Sequence, residues 1–381
     1  MHKENKISKI IIVGDLFPTQ ENVNYFSKGD VDSLFGKDIV NLFAQSDYRV
    51  CNLEGALTNH PDKIRKTGPV KVASSSAVNA YKKLGIDCCM LANNHATDGG
   101  HQGMTDTMNS LDEAGIHYIG AGKSKDDINR FLVKEIGGMK IGFYNVSERM
   151  YNMPTKDTAG AWLYDEYVVC KELEQWKRSC DYLIVIYHGG IEKFHYPSPE
   201  LKKRFYRMAD NGADMILAQH THCVGCEDRY NDSYLLYGQG DFLLKNFAPG
   251  LTDSGLIIEL DIAEGKVEVK KHLVKSVDNL FVHYDEKQDF SAFEERSRLL
   301  QDEEYIRQQL HKFCDGELRL YLKAFKSPSR TMMGVARYFP KIYKKWLYRY
   351  NKRDLMFTLH TLRSEQNRET AIIGIEHLLN M

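Results

Sequence analysis

The chain has 381 residues, 43% hydrophobic and 27% charged, with a formal net charge of −1. That length fits two domains, or one large domain with an appendage, and the apolar content supports a sizeable core. A near-neutral molecule has no overall pull towards nucleic acid or membrane, so any such preference must come from a local patch.

From residue 9 to about 275, short β-branched runs alternate with helical patterns, the signature of an α/β domain. Residues 9–13 read as a first strand ending at Gly14-Asp15, followed by a helix over 31–44. Residues 48–53 are a second strand ending at Glu54. A serine at 75 or 76 caps a helix to 84, and 87–92 is a third strand ending at Asn93-Asn94-His95. Residues 100–114 are helical, and 115–119 form a turn and short strand. The runs 131–136 and 139–145 make a hairpin around Gly137-Gly138.

Strand 182–187 ends at His188, and 199–211 is helical with Pro199 in its first turn. Strand 214–218 ends at Gln219-His220-Thr221-His222. Two late strands, 255–262 and 266–275, flank Ala263-Glu264-Gly265. Beyond about 286, glycine and β-branched runs give way to long charged helical patterns. The expected division is an α/β domain over 1–285 and a helical region over 286–381.

The apolar run at 10–13 is far too short for a signal-peptide core or membrane helix, and no later stretch is long enough to span a bilayer. A cytoplasmic location is expected. Eight cysteines are irregularly spaced, several inside strand-like runs such as Cys88-Cys89, and read as buried free thiols. Cys223-Val-Gly-Cys226 is a lone pair and makes no zinc ribbon.

Asp15, Glu54, Asn94, His188 and His220 each fall just past an apolar strand-like run. Open α/β sheets bind ligands outside the carboxyl ends of their strands, so these five groups are expected to converge on one edge. Singly, each has a plain structural reading. Asp15 suits a helix N-cap, Asn93-Asn94 a turn, and His188 a loop satisfied by backbone. Jointly, carboxylates, imidazoles and an amide oxygen make a donor set for Mn²⁺, Fe²⁺ or Zn²⁺. Glu54 is placed to bridge two ions, and His222 lies two residues beyond His220 for a neighbouring ion.

The series Val13-Gly-Asp15, Cys51-Asn-Leu-Glu-Gly55, Leu91-Ala-Asn-Asn-His95, Gly120-Ala-Gly122, His188-Gly-Gly-Ile-Glu192, His220-Thr-His222 and Leu236-Tyr-Gly-Gln-Gly-Asp-Phe242 resembles the CapA family. These are bacterial capsule-synthesis proteins linked to poly-γ-glutamate capsules. The resemblance runs over roughly 8–245. It implies a four-layer α-β-β-α sandwich of calcineurin-like metallophosphoesterase type.

It also implies roles. Asp15 and His222 would hold one divalent metal, Asn94, His188 and His220 another, with Glu54 between them. His95 would protonate the leaving group or steady developing charge. Asn52, Asn93, Glu192 and Asp241 would stand behind the ligands or near substrate. Gly120-Ala-Gly122 would be a structural turn.

Three places depart from the pattern. Phe17 stands where such phosphoesterases carry a histidine ligand, so the Asp15–His222 half is one ligand short, and one ion is expected more firmly than two. Ala218-Gln219 stand where the family commonly has glycine and histidine, and Asp241 where it commonly has asparagine. Lys66 and Lys71, with Arg65, lie between the Glu54 and Asn94 motifs. A solvated loop is their plainer reading, and contact with an anionic substrate, through Lys71 first, the functional one.

Residues 318–353 carry eleven Lys or Arg and no Asp or Glu, with aromatics interleaved. Such a segment suits an anionic polymer, a partner protein, or the inner face of a membrane as a peripheral contact. An appendage packing its aromatics on the main domain is equally open. No nucleic-acid reading motif accompanies the charge. Residues 370–379 are apolar at helical spacing and suit core or a partner contact. The expected function is metal-dependent hydrolysis of a phosphoester or amide in capsule or exopolymer biosynthesis. The alternative is a non-catalytic assembly factor binding an anionic polymer or membrane surface.

Overall fold

The computed structural model describes residues 7–62, 64, 66, 68–150, 154, 157–245, 248–322 and 352–380. Strands of two main sheets are β1 (Ser8–Leu16), β2 (Tyr48–Leu53), β3 (Cys88–Met90), β4 (His117–Ile119), β5 (Phe131–Ile136), β6 (Met139–Ser147) and β7 (Tyr182–His188). They continue with β8 (Met215–Gln219), β9 (Glu227–Tyr230), β10 (Ser233–Leu236), β11 (Asp241–Leu243), β12 (Ser254–Ala263), β13 (Lys266–Val277) and β14 (Phe281–Tyr284). The first sheet runs β14-β13-β12-β1-β2-β3-β4, with β11 also paired to β1; the second runs β9-β10-β8-β7-β6-β5.

The helices are α1 (Val23–Lys28), α2 (Val31–Ala44), α3 (Val78–Leu84), α4 (Gly100–Ala114), α5 (Glu166–Lys177), α6 (Pro199–Asp210), α7 (Ser291–Leu299), α8 (Glu303–Leu322), α9 (Lys352–Arg363) and α10 (Glu365–Asn380). The expected helix over 31–44 is broken at Gly36, whose φ of 70° leaves the helical region.

Three apolar clusters define the layers. Ile10, Ile12, Val50, Met90 and Leu256 of the first sheet meet Phe143, Ile184, Ile186 and Leu217 of the second between the sheets. The other face of the first sheet, through Ile11, Val13, Cys51 and Leu53, packs on Leu34, Ile39, Tyr81 and Leu111 of α2, α3 and α4. The outer face of the second sheet, through Val185, Tyr187 and Ile216, packs on Val169, Leu201, Phe205 and Leu310 of α5, α6 and α8. This is the four-layer α-β-β-α sandwich. A central strand in such a sandwich is covered on both faces, which is why β1 is a continuous apolar run instead of an alternating one.

β1 to β4 are mutually parallel, as are β6, β7, β8 and β10. Their carboxyl ends share one rim, but the donors come from two sheets and not one, which refines the single-edge expectation. Two glutamines tie the sheets together beneath that rim. Gln239 Nε2 donates to Ile12 O at 2.9 Å and Leu256 O at 3.1 Å, and Gln219 Nε2 donates to Gln239 Oε1 at 2.9 Å. Gln219, at a position where the resemblance leads one to expect histidine, is thus a buried cross-sheet link.

All eight cysteines are free thiols. Among the described residues no helix is long and apolar enough to cross a membrane. Among the described residues the last strand ends at Tyr284 and the C-terminal helices begin at Ser291. In α10, Ala371 is buried and Ile373 packs on the second core, while Ile372, Leu378 and Leu379 stay exposed. The basic and aromatic segment 318–353 lies, apart from its two ends, outside the described residues, as does Arg65.

Candidate metal centre

The predicted donors converge. Asp15 is next to last in β1, Glu54 follows β2, Asn94 follows β3, His188 ends β7 and His220 follows β8. Every one of them is at most 5% exposed, as is His222. Glu54 Oε1 sits centrally, 3.8 Å from His95 Nε2, 3.8 Å from His188 Nε2 and 4.0 Å from His222 Nε2. His188 Nε2 is 2.9 Å from Asn94 Oδ1, and its Nδ1 accepts from Asn52 Nδ2 at 3.2 Å. Asn52 Nδ2 also donates to Asp15 Oδ1 at 2.6 Å, and Asn93 holds Asn52 Oδ1 and Leu53 O. Asn52 thus contacts two of the donors, Asp15 and His188, and Asn93 holds Asn52.

Among the described residues, two groups could hold an ion. Ligand atoms of Glu54, His220 and His222 lie within 4.8 Å of one another, as do those of Asp15, His222 and Asp241. Asp241 was expected behind the ligands, but its Oδ1 is 2.8 Å from His222 Nδ1 and its residue pairs with Asp15 across the β1–β11 ladder. It therefore stands where the half lacking a histidine needs a further donor. Backbone contact makes this placement feasible: a Cβ on Gly14 would meet Gly240 O at 2.2 Å, and one on Gly255 would meet Asp241 O at 2.0 Å. Phe242, stacked on Phe35 at 5.2 Å and Phe43 at 5.7 Å, anchors the strand. Each such ring pair contributes roughly 0.5–1.5 kcal/mol beyond its burial.

The donor set fits a divalent cation. Among the described residues, Glu54 Oε1, His220 Nδ1, Asp241 Oδ2 and Glu148 Oε1 are buried without a hydrogen-bond partner. Orphaned buried acceptors are costly unless a cation or proton satisfies them. Burial, then the carboxylates of Glu54 and Asp241, push the Asp15 carboxyl well above its usual range. Burial works against charge on His222, yet Asp241 and Glu54 outweigh it and raise its imidazolium to about 10. His95 and His188 are held well below the usual imidazole range, by burial first and by neighbouring cationic groups second.

Backbone strain marks the same spot. His220 and His222 have φ of 95° and 58°, in the left-handed region that non-glycine residues avoid. Such outliers persist only where the surroundings over-determine them, and they cluster at functional sites.

The lysines correct the loop expectation. Lys71 Nζ is 2.5 Å from Glu54 Oε2, and Lys66 Nζ is 2.6 Å from Asp98 Oδ1 and 3.0 Å from His95 Nδ1, with its side chain only 4% exposed. Both turn into the site because the buried carboxylates there attract cations. Asp98, which sequence reading missed, lies 2.5 Å from His95 Nδ1 and orients that ring. Its one legible signal was the i, i+3 spacing from His95. Glu192 Oε1 is 3.8 Å from His220 Nε2 with a third of its side chain exposed, a looser neighbour than expected. Glu148 and Gln366, also missed, approach His220 at 3.8 Å and 2.9 Å. No local pattern announces either. Of the turn expected over Gly120-Ala-Gly122, only Gly120 bends the chain, at φ 97° against Ala92 and Asn145; Ala121–Gly122 instead form a short strand paired with Gly160–Ala161.

A family model described as bacterial capsule synthesis protein PGA_cap matches residues 9–246. The capsule biosynthesis protein CapA of Bacillus anthracis is 26% identical over 265 residues, 67% of this chain and 64% of that protein. The PGA biosynthesis protein CapA of Bacillus subtilis strain 168 is 26% identical over 250 residues, 64% of this chain and 65% of that one. The match thus spans slightly under two thirds of both relatives. Among solved structures, a phosphatase from Mycoplasma pneumoniae aligns at a TM-score of 0.45 and 17% identity, covering 76% of this chain and 99% of that one. The family match takes in more than half of the chain and every donor from Asp15 to Asp241, so the chain belongs to the bacterial capsule synthesis protein family PGA_cap.

Proposed function

We propose that the protein is a metal-dependent hydrolase acting on a phosphoester or amide bond in capsule or exopolymer biosynthesis. The observation that carries this reading is the convergence of orphaned buried donors, Glu54 Oε1, His220 Nδ1 and Asp241 Oδ2, in two ligand-spaced groups. Mn²⁺, Fe²⁺ and Zn²⁺ suit carboxylate, imidazole and amide donors. A bound divalent ion would lower the pKa of a coordinated water and neutralise charge building on the attacked group.

Glu54, Asn94, His188 and His220 would hold the principal ion, and Asp15, His222 and Asp241 a second. His95, its Nδ1 fixed by Asp98, presents Nε2 to the reacting group; burial favours the neutral ring, so Nε2 first takes up a proton before it can pass one to the leaving atom. Lys71 and Lys66 supply positive charge for an anionic substrate. Elemental analysis after Mn²⁺ supplementation, with hydrolysis of model phosphodiesters, tests the reading. Bound metal and activity lost in Glu54→Ala and His188→Ala are expected. Metal-free protein after supplementation overturns it.

One observation favours a second reading, an assembly factor that binds an anionic polymer without catalysis. Lys71 already gives Glu54 a cation at 2.5 Å. Polyglutamate binding followed by light scattering in the presence of chelator separates the two readings. Deleting 323–351 in the same assay tests whether the basic segment takes part.

A further inference from the structure

Helix α10 lies outside the matched span 9–246, yet it reaches the metal centre. Gln366, in its first turn, places Oε1 2.9 Å from His220 Nε2. The other oxygens facing that nitrogen, Glu148 Oε1 and Glu192 Oε1, each stand at 3.8 Å, beyond hydrogen-bond range. An amide oxygen only accepts, so Nε2 carries the proton and a neutral His220 keeps its lone pair on Nδ1. Nδ1 is the buried atom left without a partner.

The first turn of α10 is firmly placed. Ser364 caps it, its Oγ accepting from Asn367 N at 3.3 Å. Glu365 Oε2 pairs with Arg204 Nη1 at 2.7 Å, and the same guanidinium nitrogen donates to Tyr187 OH at 2.8 Å. Tyr187 directly precedes His188 on β7, so the tether runs from α10 to a strand that carries a donor.

We propose that Gln366 is a positioning residue for the metal centre, fixing His220 in the tautomer that offers Nδ1 to the ion and making α10 an integral wall of the site. The inference rests on the metal reading above. Partners that hold a ligating histidine by its second nitrogen set ring orientation and basicity, and their loss typically lowers metal affinity about 10–100-fold.

The test titrates the full-length wild type, Gln366→Leu and Gln366→Glu with Mn²⁺ alone, and records the melting temperature of each metal-free protein. Gln366→Leu is expected to bind Mn²⁺ about 10–100-fold more weakly while melting close to wild type. Gln366→Glu, which keeps the acceptor oxygen, is expected to retain binding. Wild-type affinity in Gln366→Leu overturns the inference, and so does a loss in Gln366→Glu as large as that in Gln366→Leu. If wild type itself binds no Mn²⁺, the metal reading falls and this inference with it; if wild type binds and Gln366→Leu binds equally, only this inference falls.

Discussion

Asp15 and Asp241 are register partners on the parallel strands β1 and β11, and both carboxylates address His222, at 3.4 Å and 2.8 Å from its Nδ1. Two buried carboxylates favour a cation between them, which is the His222 imidazolium in the metal-free protein and would be a metal ion once His222 gives up its proton. Asp241→Asn removes one charge with little change of shape. It is expected to weaken the second Mn²⁺ equivalent about 10–100-fold and to leave the first nearly unchanged. An isotherm identical to wild type would remove Asp241 from the site.

Lys71 and a metal ion compete for Glu54. Lys71→Met leaves the Glu54 carboxylate buried without its ammonium partner, a loss of about 3–5 kcal/mol in comparable buried pairs. The low end of that range is expected, since three histidines face the other oxygen. Melting without metal should therefore fall, Mn²⁺ should restore most of the loss, and Mn²⁺ affinity should rise. Equal melting temperatures with and without Mn²⁺ would sink the competition.

The strand ends were legible because each is an apolar run stopped by a polar residue, a signal confined to a few neighbouring positions. Asp15, Glu54, Asn94, His188 and His220 were found that way. Asp241 was visible only as a departure from the family pattern, because its role arises from the pairing of β1 with β11, more than 220 residues apart in the chain. Gln366 left no local signal at all: it sits in an ordinary amphipathic helix, and only the docking of α10 brings it to His220. The lysines were misjudged for a related reason. A Lys-rich loop reads as solvated until the carboxylates it meets, Glu54 and Asp98, are known to be buried.

Glu259, on β12, accepts from Lys9 Nζ at 2.5 Å and His272 Nε2 at 2.7 Å. Burial pushes its carboxyl up, but the hydrogen bonds from Lys9 and His272 outweigh burial and hold it below the usual value. A carboxyl depressed on folding stabilises the protein above its unfolded pKa of about 4.3, and that stability fades as pH falls through the folded value. Glu259→Gln should consequently melt below wild type at pH 7, and the gap should close towards pH 3. A gap that is constant across this window would mean that the ion pairs contribute nothing.

Gly374 sets the distance between α10 and α8. A Cβ there would stand 3.3 Å from Cys314 O and 3.3 Å from Leu318 Cβ, tighter than an ordinary contact, so α8 must give by a few tenths of an ångström. Gly374→Ala should be tolerated, and helix propensity favours it by up to about 1 kcal/mol. Gly374→Val adds branches that the gap cannot take, at roughly 1–3 kcal/mol for overpacking. It should push α10 outwards, separate Gln366 from His220 and weaken Mn²⁺ binding, although no atom of the site has changed. Parallel melting and Mn²⁺ titration of both variants measure this coupling. If Gly374→Val melts early but binds Mn²⁺ like wild type, the seating of α10 on α8 and the metal centre are independent.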